Sequence, residues 1–237
     1  MHELLDGFLS VSRNLTKQQV TSARFWDNKF RSLSLIQVYT GTAWGLNDFE
    51  VTRVGLGDII SQYDAILVAW KEKRLHDLTR LTTMIRSFFA GKNISAYVNE
   101  IESPGVVLGD EYEPVLRVMP HSEFPSGSTL ICTAFFEHQE MFAKTRPGGD
   151  IVLPVRFPIF PNITLFPLDG PAFVDLPSFK GAAEQCSISR LWAGVHFRPS
   201  VEAAQKLGIG IVKRAFEFVG KLVAGKVPEE CTHCIKF

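Results

Sequence analysis

Seven of the chain's prolines fall within one stretch: Pro147, Pro154, Pro158, Pro161, Pro167, Pro171 and Pro177. A proline lacks the amide donor and fixes φ, so no regular helix runs through this segment. Outside it, and outside residues 102–125, apolar residues recur at helical spacing. The chain therefore reads as all-α, a helix-bundle fold crossed by long proline-rich loops, with short strands around 151–157. A loop of that length in a compact unit is either functional or structured by packing.

The helical segments follow from periodicity. TKQQVTSARFWD, residues 16–27, sets Val20, Ala23, Phe25 and Trp26 along a helix. Leu33 to Trp44 reads as a second, buried helix. From Leu56 to Trp70, the side chains of Leu56, Ile59, Ile60, Tyr63, Ile66, Leu67 and Trp70 form an apolar stripe, expected to face the core. A separate helix is predicted from Lys71 to Phe89, and others over 126–142, 179–186 and 201–223. No internal repeat or low-complexity segment is visible.

Composition excludes several classes. With 25 basic and 25 acidic residues the formal net charge is zero, so nothing global points to nucleic acid or to an anionic membrane. The apolar fraction of 46% allows a sizeable core in one domain over 1–237. No apolar run reaches the length of a membrane span; the longest, Ala65 to Trp70, reads as part of a buried helix. The N-terminus carries acids early and has no basic region ahead of an apolar core, so it does not read as a secretory signal. A soluble protein is expected, either cytosolic or derived from a longer precursor.

Cys132 and Cys186 lie in helical patterns and are expected to be buried thiols. Cys231 and Cys234 form a lone C-x-x-C near the end, which reads as a redox pair, a disulfide or two ordinary thiols in a tail. The 19 phenylalanines fit buried contacts in a homo-oligomer and a plain core equally well.

Three separated segments carry chemistry. Lys73 and Arg80 are seven residues apart, almost two turns, so a continuous helix places both cations on one face. Alone, this reads as a solvated basic face. Phe124-Pro125-Ser126-Gly127-Ser128-Thr129 opens an apolar helix with a turn, a cap and a residue lacking a side chain. Its free N–H groups form an anion site or simply an ordinary capped helix. In Ser189-Arg190-Leu191-Trp192-Ala193-Gly194-Val195-His196-Phe197-Arg198-Pro199-Ser200, the basic Arg190 calls for an anionic partner. His196 sits on a largely apolar run.

Together these segments resemble the three-part signature of the superfamily of vanadium-dependent haloperoxidases and type 2 phosphatidic acid phosphatases. That signature is Lys, six residues, Arg-Pro; then Pro-Ser-Gly-His; then Ser-Arg, five residues, His, three residues, Asp. The flanking text RLTTMIR, SFKGAAEQCSISRLWAGVHF and TKQQVTSARFWDNKF is similar as well. The likeness runs over roughly residues 16–220, leaving 221–237 as a tail, and is to the C-terminal domain of the soluble haloperoxidase-like members.

The resemblance implies that His196 is the axial ligand of vanadate, or a phosphohistidine nucleophile. Lys73, Arg80 and Arg190 would neutralise the oxyanion's oxygens, and Ser126 and the Gly127 N–H would hydrogen-bond them. Implied partners are hydrogen peroxide and a halide, or a phosphate monoester. The chain departs from the pattern at Leu81 for Pro, Ser128 for the acid–base His and Ser200 for the Asp partner of the ligand His. A serine does not titrate near neutrality, and losing a general acid–base costs ~10²–10⁴-fold. His121, seven residues before Ser128, is a possible substitute. Ser200 brings no negative charge to His196. Three functions remain open: a haloperoxidase, restricted to easily oxidised iodide; a soluble acid phosphatase; and a non-catalytic oxyanion-binding homologue.

Overall fold

The computed structural model describes residues 2–147, 152–159 and 172–226. Cys231, Cys234 and the prolines at 161, 167 and 171 lie outside them. The described helices are α1 (His2–Arg13), α2 (Lys17–Phe25), α3 (Lys29–Ala43), α4 (Asp48–His76), α5 (Leu81–Phe88), α6 (Gly127–Ala143), α7 (Phe179–Trp192), α8 (Arg198–Leu207) and α9 (Ile211–Val223). Two antiparallel hairpins accompany them. β1 (Asn93–Val98) pairs with β2 (Ser103–Leu108), and β3 (Val155–Ile159) pairs with β4 (Ala172–Leu176). The fold is thus the expected helix bundle. The first hairpin occupies a region read only as helix end and loop, and the second joins the core through Phe157, Ile159, Val174 and Leu176.

The bundle is organised around α6, which is buried on nearly every side through Leu130, Cys132, Ala134, Phe135, Phe136, Gln139 and Phe142. Helices α4, α7, α8 and α9 pack around it. A helix with apolar residues on most of its faces is stable only when surrounded in this way. Helix α4 approaches α6 through a small-residue face, Gly57, Ser61, Ala65 and Ala69, which lets the backbones come close. At Gly57 a Cβ would lie 2.1 Å from the His138 ring nitrogen Nε2. That ring cannot easily yield, because Asp58 Oδ1 holds its Nδ1 at 2.7 Å. Asp58 Oδ2 also accepts from Gln139 (2.6 Å), whose side-chain oxygen accepts from Thr40 (2.9 Å). This buried network links α3, α4 and α6. Burial pushes the Asp58 carboxyl up, against the hydrogen bonds from His138 and Gln139.

Several expectations are corrected. The two helices predicted over 56–70 and 71–89 are one 29-residue helix, α4, followed by α5; the break comes at Asp77, whose φ of 40° ends the helix left-handed. The predicted helix over 201–223 is two, divided at Gly210 with φ of 85°. The stripe Leu56, Ile59, Tyr63, Ile66, Leu67 and Trp70 is exposed, not core-facing. The core takes the small-residue face of α4 instead. Finally, Cys132 and Cys186 are not free thiols but form a disulfide between α6 and α7.

That disulfide spans 54 residues of sequence. By loop entropy it restricts the unfolded chain by about 4 kcal/mol. Reduction should therefore lower the melting temperature by on the order of 10 °C. Thermal unfolding with and without a phosphine reductant checks this; an unchanged midpoint would refute it.

Candidate functional site

Residues 121–126, between the first hairpin and α6, touch all three chemical segments. Lys73, in the last turn of α4, donates from Nζ to the carbonyls of Pro125 (2.6 Å), Ser122 (2.7 Å) and Glu123 (3.3 Å). Arg80 is the residue immediately before α5, at its N-cap. Its Nε donates to the His121 carbonyl (2.6 Å) and its Nη1 to the Val195 carbonyl (3.0 Å). The two cations therefore do not share one helix face, because α4 ends at His76. The turn at Asp77 and the loop carbonyls bring them together instead. Leu81, where the resemblance has Pro, is the first residue of α5 and is fully buried among Leu5, Phe8 and Ile85. Its role is packing.

Ser126 caps α6, its Oγ accepting from the Thr129 N–H (3.3 Å) and hydroxyl (2.8 Å). Gly127, the first helical residue, lies beside Lys73: a Cβ there would be 3.7 Å from Lys73 Cε. That is ordinary contact, so packing does not demand the glycine. A helix N-terminus leaves N–H groups without intrahelical partners, and these favour an anion. Ser128 is half-buried, and its hydroxyl has no hydrogen-bond partner among the described residues.

On the third segment, Ser189 is buried and donates to the Cys186 carbonyl (2.6 Å), a contact within α7. Arg190 is buried, with Nη1 3.6 Å from Asp27. Among the described residues neither its Nε nor its Nη1 has a partner within hydrogen-bond distance, and Asp27 offsets only part of the burial that lowers its pKa. Lys29 stands nearby, donating to the Trp26 carbonyl (2.8 Å). Burial, and then Arg190, pushes its pKa well down against Asp27. His196 is buried in the turn before α8.

The residue that sequence reasoning missed is Glu123. Its Oε1 accepts from His196 Nδ1 (3.0 Å) and from the Phe197 N–H (2.9 Å), and its Oε2 accepts from the Ser200 hydroxyl (2.5 Å). Ser200, in the position of the expected Asp, carries no charge. It hydrogen-bonds a carboxylate that arrives from another segment and that also meets His196. Burial pushes the Glu123 carboxyl up, but His196, Ser200 and the Phe197 amide outweigh it and hold it net below the usual range. Burial likewise pushes His196 down to about 3, with Arg80 and Arg190 adding to the depression and Glu123 opposing it. The imidazole is therefore neutral, with its proton on Nδ1 facing the carboxylate and its lone pair on Nε2, as a ligand or nucleophile requires.

His121 is brought to the same place. Its Nδ1 lies 2.8 Å from Arg80 Nη2, and its ring packs against Trp70 with centroids 4.7 Å apart and planes tilted by 60°. Burial, followed by Arg80, pushes it down to about 4. Burial, followed by Arg80, also lowers Lys73 to about 7, with Glu123 opposing. These mutual effects place Lys73, Arg80, Arg190, His196 and Glu123 within one electrostatic neighbourhood.

The donor set fits an oxyanion such as vanadate or phosphate. Burying a guanidinium with two nitrogens lacking hydrogen bonds is costly unless an anion completes it. A neutral imidazole nitrogen and a helix N-terminus lie in the same site. Lys73 fits less well, because its three donors already reach loop carbonyls. Glu123→Gln should weaken oxyanion binding by ~10–100-fold, whereas Ser200→Ala should do so by less. Calorimetry on the two variants decides the point; equal losses would show that the carboxylate charge does not matter.

Among curated proteins, none matches this sequence. Solved structures do. A holo-type bacterial vanadium-dependent chloroperoxidase superposes with a TM-score of 0.79 at 22% identity, covering 94% of this chain and 48% of that one. The apo-type chloroperoxidase gives 0.81 at 21%, covering 94% and 49%. A bacterial vanadium-dependent iodoperoxidase gives 0.65 at 20%, covering 93% and 48%. The chain thus spans about half the length of these proteins, and at such identities the likeness is one of fold. The family model of the VCPO second helical-bundle domain matches residues 54–225, from within α4 to the end of α9 and so across every segment of the site. The chain belongs to that haloperoxidase-like family.

Proposed function

We propose that this domain binds vanadate and belongs to a protein that oxidises a halide, iodide first, with hydrogen peroxide. The observation that carries the reading is Arg190, buried with Nε and Nη1 lacking hydrogen bonds in the same site as a neutral His196 backed by Glu123. Arg190 and Arg80 would neutralise anionic oxygens, and the Ser126–Gly127 turn would donate to them. His196 Nε2 would hold vanadate through its lone pair. When bound, vanadate supplies the electrophilic centre at which hydrogen peroxide is activated toward halide. Glu123 holds the His196 proton on Nδ1 throughout, keeping Nε2 available. The solved haloperoxidases of similar fold support the same reading.

Proton handling favours a second reading, an oxyanion-binding homologue without turnover. Ser128 cannot titrate near neutrality. His121 is neutral there, its pKa depressed to about 4, so it is a poor proton reservoir. A phosphatase would need that proton for its leaving group and is the least supported of the three.

Isothermal titration with vanadate should show saturable one-to-one binding, lost by at least ~100-fold in Arg190→Ala and His196→Ala. Absence of binding by the wild type would end the oxyanion reading. Iodide oxidation by the vanadate-loaded protein with hydrogen peroxide supports the enzyme; tight binding without turnover selects the second reading. Turnover of p-nitrophenyl phosphate, stopped by vanadate, selects the phosphatase.

A pH dependence follows from Lys73. Its folded pKa is lowered to about 7, so its charge is present below that pH and lost above it. Oxyanion affinity should therefore fall as pH rises through 7 more steeply in the wild type than in Lys73→Met. Identical slopes in parallel titrations would refute the contribution.

A further inference from the structure

A hollow of about 460 Å³ lies against the first turns of α5, walled by the short turn Asn99–Ile101 that joins β1 to β2 and by residues 113–118. That is the size of a small-molecule site. Thr82, Pro114 and Val115, all buried, form its floor, and charged side chains form its rim. Two polar atoms of this region are buried without partners among the described residues. Thr82 is 7% exposed, and its Oγ1 makes no hydrogen bond. Asn99 Nδ2 donates to the Pro114 carbonyl (2.9 Å), which fixes the amide and leaves Oδ1 without a donor. Buried polar groups in folded proteins are nearly always paired, with protein, water or ligand. Asn99 Oδ1 can only accept, so whatever completes it must donate. The rim carries both signs of charge. Arg86 is committed, donating from Nε to the Tyr112 carbonyl (3.0 Å) and pairing with Glu113. Arg117 and Glu100 line the same hollow, yet among the described residues no ion pair or hydrogen bond engages either side chain.

We infer that this hollow binds a small zwitterion of the α-amino-acid class, with its carboxylate on Arg117 and its ammonium group on Glu100 and Asn99 Oδ1. The Thr82 hydroxyl, both donor and acceptor, completes either group. The charge pattern selects this class over the alternatives. A simple anion would meet Glu100 and Glu113, and a simple cation would meet Arg86 and Arg117. A neutral polyol could satisfy Thr82 and Asn99 but would leave the free cation and the free carboxylate without counter-charges. A zwitterion answers all four groups at once, and charge-assisted hydrogen bonds of this kind are the strong ones. Val115 and Pro114 offer an apolar surface to the ligand's side chain. The hollow adjoins the oxyanion site, since Thr82 stands two residues beyond Arg80, but it shares no residue with that site. The inference is independent of what the oxyanion site binds.

Thermal shift and calorimetry on the whole chain with the free L-α-amino acids, in the absence of vanadate, test it. At least one should bind saturably and raise the melting temperature by ~5 °C at about 100 times its dissociation constant. The decarboxylated amine and the deaminated acid of the best binder, each keeping one charge, should bind at least ~10-fold more weakly. Arg117→Gln and Glu100→Gln should each weaken binding by at least ~10-fold and leave the circular dichroism spectrum unchanged, since both side chains are exposed. Thr82→Val removes a hydroxyl that no protein group uses. It should weaken binding without lowering the melting temperature of the free protein, because no intramolecular hydrogen bond is lost. Binding of no amino acid overturns the proposal and leaves Thr82 and Asn99 to a buried water. Binding that is indifferent to Arg117→Gln and Glu100→Gln overturns it too, as does an amine or an acid alone that binds as tightly as the zwitterion.

Discussion

The Glu123 carboxylate is the interaction on which the site's geometry rests. It is almost wholly buried and accepts from a side-chain nitrogen, a backbone amide and a hydroxyl, all on the third segment. Its own loop supplies the carbonyls that fix Lys73 and Arg80, and the Ser126 N–H donates to the Ser200 carbonyl (3.2 Å). Six residues thereby join the end of α4, the start of α5, the start of α6 and the turn before α8. A buried carboxylate is tolerable only when so completely hydrogen-bonded. Removing it would leave several donors without an acceptor and free the His196 ring to turn.

The remainder of the fold keeps that junction rigid. Helix α6 carries the Ser126–Gly127 turn at its end and is surrounded by the bundle. The Cys132–Cys186 disulfide fastens it to α7, which carries Arg190. The Asp58–His138–Gln139–Thr40 network fastens it to α4, which carries Lys73, and to α3. The helices that carry Lys73 and Arg190 are thus tied to α6 by something more directional than apolar packing. A multiply charged oxyanion needs that kind of preorganisation, since cations free to move apart would do so.

The departures from the family pattern have distinct physical meanings in this light. Leu81 packs in a core cluster. Ser200 is a hydrogen-bond donor to Glu123, a carboxylate on a different segment, so His196 still has a negative partner. Ser128 alone has no counterpart that replaces its chemistry fully, because His121, although adjacent, is held neutral by burial and Arg80. The anion-holding function is therefore preserved more completely than the proton-handling one.

The sequence by itself determined the helical class and the main helix positions, because periodicity and capping are local properties of a chain; its resemblance to the family, carried by spaced motifs, pointed to Lys73, Arg80, Ser126, Gly127, Arg190 and His196 as candidates. It did not reveal Glu123, which stands just outside the Phe124–Thr129 segment and whose partners lie more than 70 residues away. Nor did it reveal which side of α4 faces inward. Apolar periodicity identifies a stripe, but whether the core takes large residues or small ones depends on how closely α6 approaches. The Cys132–Cys186 bridge is of the same kind, since helical patterns locate each cysteine along its own helix and say nothing of the distance between helices. Tertiary structure decided these points because each is a question of which surfaces meet, and that is fixed only when the whole bundle packs.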